Sequence, residues 1–65
     1  MKIDLNGKKV KSVSKTLMDL VIEKDLDPNS LIAEVNFEVI RQDTWKDVSI
    51  KDGDNIELLS FVGGG

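Results

Sequence analysis

Helical spacing of apolar residues occurs in one short segment of this chain, and strand-like alternation lies on both sides of it. Leu17, Leu20 and Val21 recur at intervals of three and four residues, which places them along one stripe of a helix. With 65 residues the chain forms at most one domain, and a domain of this size buries only a small core. A single helix is therefore available to cover one face of a sheet.

The start and end of this helix are marked by local signals. Thr16 is suited to cap its first turn, and Asp19, three residues later, completes an arrangement like a capping box. Asp19 also favours the positive end of the helix. The segment 27–29 must lie beyond the helix, because Pro28 disfavours helical geometry at the residue before it.

The N-terminal segment predicts a hairpin. Residues 2–6 alternate polar and apolar, which is the period of a half-buried strand with Ile3 and Leu5 facing inward. Asn6-Gly7 is a strong signal for a two-residue turn, since both residues tolerate positive φ. Residues 8–13 return as a second strand, and their broken alternation indicates a bulge or an early strand end.

Three further strands are predicted at residues 31–36, 39–40 and 56–62. Residues 41–48 are expected to form an irregular loop or a single turn, and Asp52-Gly53 is another turn signal. The strand and helix periods predict one core made of Ile3, Leu5, Leu17, Leu20, Val21, Leu31, Val35, Ile56 and Leu58.

These elements predict an α+β roll, in which one main helix lies across one face of a mixed sheet of four to five strands. A right-handed crossover from the second strand through the helix fits a parallel pairing of the outer elements. We expect the domain to span residues 1–62, followed by a flexible C-terminal glycine tail at residues 63–65.

Composition excludes several classes of function. The formal net charge is −3 and no basic stripe is visible, so neither a nucleic acid nor an anionic membrane surface is an expected partner. No apolar run approaches the ~20 residues that span a bilayer, and Met1 leads directly into the alternating pattern without a signal segment. The prediction is a cytoplasmic protein.

Cysteine and histidine are both absent from the sequence. The chain thus has no disulfide, no thiolate nucleophile and no zinc site of the usual kind, and it lacks the most common general base. We expect a binding or carrier protein without a metal or cofactor of its own and not an enzyme, because so small a domain has little room for a catalytic cavity.

The sequence ends in three glycines that directly follow an apolar strand. A frayed terminus or a cloning scar would explain glycines alone, but a scar rarely follows an intact final strand so closely. Without Cβ atoms, Gly63 and Gly64 form the narrowest chain and can thread a tight channel in another protein. The carboxylate of Gly65 could then be converted to an acyl adenylate, which has a good leaving group.

Four segments resemble the ThiS family of thiamine-pathway sulfur carriers. They are residues 1–7, residues 41–45 with Trp45, the Asp52-Gly53-Asp54 segment through Leu58, and Phe61 through Gly65. The resemblance covers nearly the whole chain and implies a ubiquitin-like β-grasp fold. Gly64 and Gly65 match the diglycine of the family.

The resemblance also implies a mechanism and its partners. A ubiquitin-activating-like adenylyltransferase uses ATP to adenylate Gly65, and a cysteine desulfurase system supplies the sulfur that turns this end into a thiocarboxylate. A thiazole synthase takes the sulfur for thiamine. The alternatives are a carrier for molybdopterin or sulfur-amino-acid synthesis, a ubiquitin-like protein modifier, and an interaction module with an inert tail.

A partner surface is predicted on the side of the sheet away from the helix. If Ile56 and Leu58 face the helix, Leu59 and Phe61 must face the other way, together with Ile32. Grouped apolar side chains on an open face mark a binding surface, and we include Val62, which continues the strand toward the glycines.

The remaining candidates have simpler interpretations. Trp45 is expected to anchor an irregular loop onto the core. Turn chemistry accounts for Asp52 and Asp54 better than a metal site does. A final set of acidic residues is expected to form a solvated helix face and its exit: Asp19, Glu23, Asp25 and Asp27.

Overall fold

The computed structural model describes residues 1–61, and the predictions for Val62, Gly63, Gly64 and Gly65 lie outside this part. The regular elements, in chain order, are strands β1 (Lys2–Leu5) and β2 (Lys8–Lys11), helix α1 (Leu17–Glu23), and strands β3 (Leu31–Val35), β4 (Glu38–Ile40) and β5 (Asn55–Ser60). Two short 3-10 helices, Pro28–Ser30 and Gln42–Asp47, flank the β3–β4 hairpin.

The five strands form one mixed sheet in the order β2-β1-β5-β3-β4. The first and last strands, β1 and β5, are parallel neighbours inside the sheet, and every other pairing is antiparallel. The predicted α+β roll with one main helix is therefore confirmed. The predicted parallel pair is formed by the first and last strands of the chain. The sheet has five strands, the upper end of the predicted range.

The β1–β2 turn has the backbone geometry that its sequence predicts. Asn6 and Gly7 have φ angles of 51° and 82°. Both angles lie in the left-handed region, which asparagine and glycine tolerate better than other residues. The β3–β4 turn has the same feature at Asn36 and Phe37, with φ angles of 52° and 71°. Phe37 is unusual there, since bulky side chains rarely adopt positive φ.

Helix α1 begins with the predicted capping box. The Thr16 hydroxyl accepts a hydrogen bond from the Asp19 amide at 3.1 Å, and the Asp19 carboxylate accepts one from the Thr16 amide at 3.3 Å. These contacts satisfy two amides that the first turn would otherwise leave without partners. The helix ends at Glu23, and Asp25 follows with a φ of 57°.

The core lies between α1 and one face of the sheet. Its buried members are Ile3, Leu17, Leu20, Val21, Leu31, Ala33, Trp45, Ile50, Ile56 and Leu58. Two predicted core residues, Leu5 and Val35, are only partly buried and pack against its edge. Each is the last residue of its strand, directly before a turn, so one side of its side chain remains in contact with solvent.

The segment after β4 contributes more to the core than its polar sequence indicates. Trp45 is 1% exposed, and its indole N–H donates a hydrogen bond of 2.8 Å to the Ile40 carbonyl. The predicted anchoring role of Trp45 is therefore confirmed. Ile50 is also buried, although it was not among the predicted core residues. Its amide donates to the Lys15 carbonyl at 2.9 Å, which holds this segment beside the start of α1.

Glu23 is exposed, as predicted for the solvated helix face, but it also accepts hydrogen bonds from the β2–α1 connection. Strand β2 ends early, at Lys11, and the chain then turns so that Val13 is 91% exposed while Ser12 and Ser14 are buried. Both serine hydroxyls donate hydrogen bonds to the same Glu23 carboxylate oxygen. These bonds to the charged form lower the pKa of Glu23 below its ordinary value.

Replacing Glu23 by Gln is expected to lower the free energy of unfolding by about 1 kcal/mol at neutral pH. Hydrogen bonds to a fully buried carboxylate stabilise the folded state by more than this, but the Glu23 side chain is about one-third exposed, so solvent weakens their effect. Because the folded pKa lies below the unfolded one, the contribution is present above the unfolded pKa of about 4.5 and is lost as the pH falls through the folded value.

Urea unfolding of the wild-type and Glu23→Gln proteins between pH 7 and pH 3 measures this effect. The difference between their free energies of unfolding should shrink as the pH falls. The control is Glu38→Gln, which removes an exposed carboxylate from β4 and should change the free energy of unfolding little at any pH. A difference between wild type and Glu23→Gln that does not change with pH would contradict the assignment.

Candidate functional site

The face of the sheet opposite α1 carries the apolar residues predicted to bind partners. Ile32 of β3 and Leu59 of β5 are direct cross-strand neighbours, and each is nearly half exposed, at 44% and 47%. Phe61, two residues beyond Leu59, is 44% exposed. Leu58, directly before Leu59 in sequence, is buried in the core. The predicted strand register is confirmed, while the binding role of this open face stays a prediction.

Val39 joins this group, although its short sequence segment does not assign it to a face. It lies directly opposite Glu34 across the β3–β4 pair, and Glu34 alternates with the core residue Ala33. Val39 is therefore on the open face, where it is 64% exposed. The alternation of polar and apolar residues is present in β4, but the strand has only three residues, too few to determine a period.

The chain is held in place as far as Phe61, the last described residue. The Phe61 amide donates a hydrogen bond of 3.0 Å to the Ser30 carbonyl, one residue before β3. Ser30 belongs to a 3-10 helix whose first turn is capped by the Asp27 carboxylate. Four residues follow Phe61, and an extended chain advances ~3.3–3.6 Å per residue, so Gly65 can lie at most about 14 Å from this anchor.

Asn6 supports β5 in a way that the sequence did not reveal. Its side-chain amide donates to the Leu58 carbonyl at 3.2 Å, and its side-chain oxygen accepts from the Leu58 amide at 2.8 Å. Strand β1 has already ended at Leu5, so the Asn6 side chain continues its pairing with β5. The turn signal identified Asn6, but no local pattern predicts a contact 52 residues away.

The acidic turn before β5 serves the backbone. Asp52 accepts a hydrogen bond from the Lys2 amide at 2.7 Å, and Asp54 accepts one from the Lys51 amide at 2.8 Å. Gly53, between them, has a φ of 88°. Within residues 1–61 no group of three acidic, cysteine or histidine side chains is placed to hold a metal ion. The interpretation of this segment as a turn is confirmed.

A shallow depression of about 140 Å³ lies between the β1–β2 hairpin and this turn. Two carboxylates line it, and both already have partners: Asp52 accepts from the Lys2 amide and Asp4 from the Lys9 ammonium, at 3.4 Å. The depression offers no free acid–base pair. No helix among the described residues has the length and apolar composition to cross a membrane.

Comparison with known sequences places these features in a family. The model of the ThiS family matches residues 3–65. The sulfur carrier protein ThiS of Bacillus subtilis (strain 168) is 38% identical over 65 residues, which cover 97% of this chain and 98% of the relative. A thiazole synthase of Paramagnetospirillum magneticum is 33% identical over 66 residues, which cover the whole of this chain but only 20% of that protein.

Solved structures agree with the sequence comparison. The crystal structure of a thiamine biosynthesis protein (ThiS) from Geobacter metallireducens matches with a TM-score of 0.86 and 28% identity, over the full length of both chains. An NMR solution structure of a thiamine biosynthesis protein from the same organism matches with a TM-score of 0.79, also at 28% identity, over all of this chain and 88% of the other.

The fold is the ubiquitin-like β-grasp arrangement of one helix on a five-stranded mixed sheet. It agrees with the family match, which extends through the terminal glycines. The chain belongs to the ThiS family of small sulfur carrier proteins, which are not catalysts.

Proposed function

We propose that this protein carries sulfur as a thiocarboxylate on Gly65, and that it delivers this sulfur for synthesis of the thiamine thiazole. The observation that carries the proposal is the family match, which extends to residue 65 and so includes the glycines. The near-equal length of the Bacillus subtilis carrier supports it, since the alignment covers 98% of that relative. With no cysteine in the sequence, sulfur cannot be held on a thiol side chain.

The proposed chemistry has two stages. The Gly65 carboxylate attacks the α-phosphorus of ATP on a ubiquitin-activating-like adenylyltransferase, which forms an acyl adenylate and releases pyrophosphate. A persulfide from a cysteine desulfurase system then attacks the acyl carbon and displaces AMP, and a thiol cleaves the S–S bond to leave the thiocarboxylate. This chain contributes the carboxylate and its position, while ATP belongs to the activating enzyme. A reducing cytoplasm suits these steps.

A thiazole synthase is the proposed acceptor of the sulfur. The support comes from the thiazole synthase of Paramagnetospirillum magneticum, of which a part is similar to this whole chain. We infer that the same open face, with Ile32, Leu59, Phe61 and Val62, docks first on the activating enzyme and then on the synthase. Gly63 and Gly64 thread the channel of each enzyme, because they are the narrowest residues available.

The proposal is tested by incubating the full chain with ATP, the activating enzyme of its own genome and a sulfur donor. Intact mass should rise by the difference between sulfur and oxygen, and only when ATP is present. An isopeptide conjugate with lysine would instead identify a protein modifier. Sulfur loading without transfer to the thiazole synthase would favour molybdopterin or sulfur-amino-acid synthesis, and absence of adenylation would indicate an inert tail.

Replacing Phe61 by Asp is expected to weaken binding to both enzymes at least tenfold while leaving the fold intact. The side chain is nearly half exposed, so the native state tolerates a charge there, but a docked charge would lose its hydration. Titration calorimetry with each enzyme measures the loss, and Val13→Asp, at a highly exposed position in the β2–α1 connection, is the matched control. Unchanged affinity of Phe61→Asp for both enzymes would refute the docking face.

A further inference from the structure

Two glutamates with the same charge lie directly opposite each other on the open face of the sheet. Glu34 of β3 and Glu57 of β5 are cross-strand partners, and both are half-buried. Side chains in such positions have their Cβ atoms ~4.5–5.5 Å apart, and like charges facing each other there destabilise the sheet. The fold gains nothing from this pair by itself.

No salt bridge in the described part of the chain compensates for this pair. Within residues 1–61, the three salt bridges join Lys9 to Asp4, Lys24 to Glu23 and Arg41 to Asp43, and none involves Glu34 or Glu57. Asp4 makes a useful contrast, because Lys9 lies directly opposite it on the neighbouring strand. The two glutamates therefore remain a pair of negative charges without a cationic partner in the described part of the chain.

Their position connects them to the docking face. The Glu34–Glu57 pair is two residues along the strands from the apolar Ile32–Leu59 pair, on the same side of the sheet. Val39 lies on the other side of Glu34, on β4. Half-buried carboxylates next to these apolar side chains would lose much of their remaining water when a partner covers the face. Unless that partner supplies positive charge, binding would leave two desolvated anions.

We propose that the adenylating enzyme inserts a cationic side chain, arginine or lysine, between Glu34 and Glu57 when this protein docks. The proposal rests on the function proposed above. That enzyme must bring together ATP and the carboxylate of the tail, both anionic, so positive potential is required where the tail enters. Glu57 is four residues before Phe61, or ~13 Å along the strand, which keeps this contact within the same interface.

Binding of the full-length Glu34→Gln and Glu57→Gln variants and of the double variant to the adenylating enzyme tests this contact. Glutamine preserves the size of each side chain and removes its charge. We expect about threefold weaker affinity for each single variant and about tenfold for the double variant at low salt, with smaller differences as salt rises. Glu38→Gln is the control, because Glu38 pairs with Val35 and so lies on the other side of its strand.

Thermal unfolding of the same variants separates this role from a structural one. Relief of the like-charge contact should leave the midpoint of each single variant equal to or above that of the wild type. Weaker binding without loss of stability supports the proposal. Affinities and salt dependence equal to those of the wild type would overturn it, and the sulfur carrier function would stand if the variants are still loaded. A wild-type protein that the enzyme neither binds nor loads would overturn both.

Discussion

Adding a single residue after Gly65 is expected to abolish thiocarboxylate formation. The reacting carboxylate would move by ~3.3–3.6 Å, the length of one extended residue, whereas a displacement of ~1 Å can already reduce a rate about a hundredfold. Strand β5 cannot slide back to compensate without breaking the hydrogen bond from the Phe61 amide to the Ser30 carbonyl. Intact mass after incubation with ATP, activating enzyme and sulfur donor provides the measurement.

Binding provides the control for this experiment. The extended chain should retain most of its affinity for the activating enzyme, because the open face at Ile32, Leu59 and Phe61 is unchanged. Gly64→Ala should also impair loading, since it adds a Cβ inside the channel. If a chain extended beyond Gly65 were loaded with sulfur as fully as the wild type, the terminal carboxylate would not be the working group.

Replacing Leu58 by Ala should lower the free energy of unfolding by ~2–5 kcal/mol, which is enough to unfold much of so small a domain. Leu58 is 5% exposed and packs in the core, while its neighbour Leu59 is 47% exposed on the other face. Leu59→Ala deletes the same atoms one residue away and should cost less than about 1 kcal/mol. Urea unfolding can be followed by the fluorescence of Trp45, the single tryptophan.

The comparison of these two variants tests the register of β5. A strand shifted by one residue would exchange the faces of Leu58 and Leu59 and reverse the order of the two effects. Equal losses of stability would mean that both faces are covered in solution. Affinity for the activating enzyme should show the opposite order of effects. Leu59→Ala should weaken docking, whereas Leu58→Ala should reduce binding only by lowering the fraction of folded protein.

Several features of the site were accessible from the sequence because they depend on neighbouring residues. The alternation through Leu58 and Leu59 assigned each residue to the correct face, and Thr16 with Asp19 identified the helix start. Asn6-Gly7 predicted its turn, since the preference of these residues for positive φ is intrinsic. The glycine tail was identified on composition and position, and its structure lies outside the described residues.

Other features required the folded chain. Glu23 is exposed as expected, and its role as acceptor for two serines depends on how the β2–α1 connection packs against the helix. Ile50 is buried because the segment after Trp45 returns to the start of α1, and no period in a polar stretch predicts that path. Val39 lies in a strand of three residues, which is too short for a pattern to decide its face.

The sequence alone determined the local elements and the core face of each main strand, because torsional preferences and side-chain alternation act over a few residues. Tertiary structure decided which strands are neighbours. That choice brought the side chain of Asn6 to Leu58 and placed Glu34 opposite Glu57. Such contacts join residues far apart in the chain, and the free energy that selects them comes from burying one common core, which no local pattern contains.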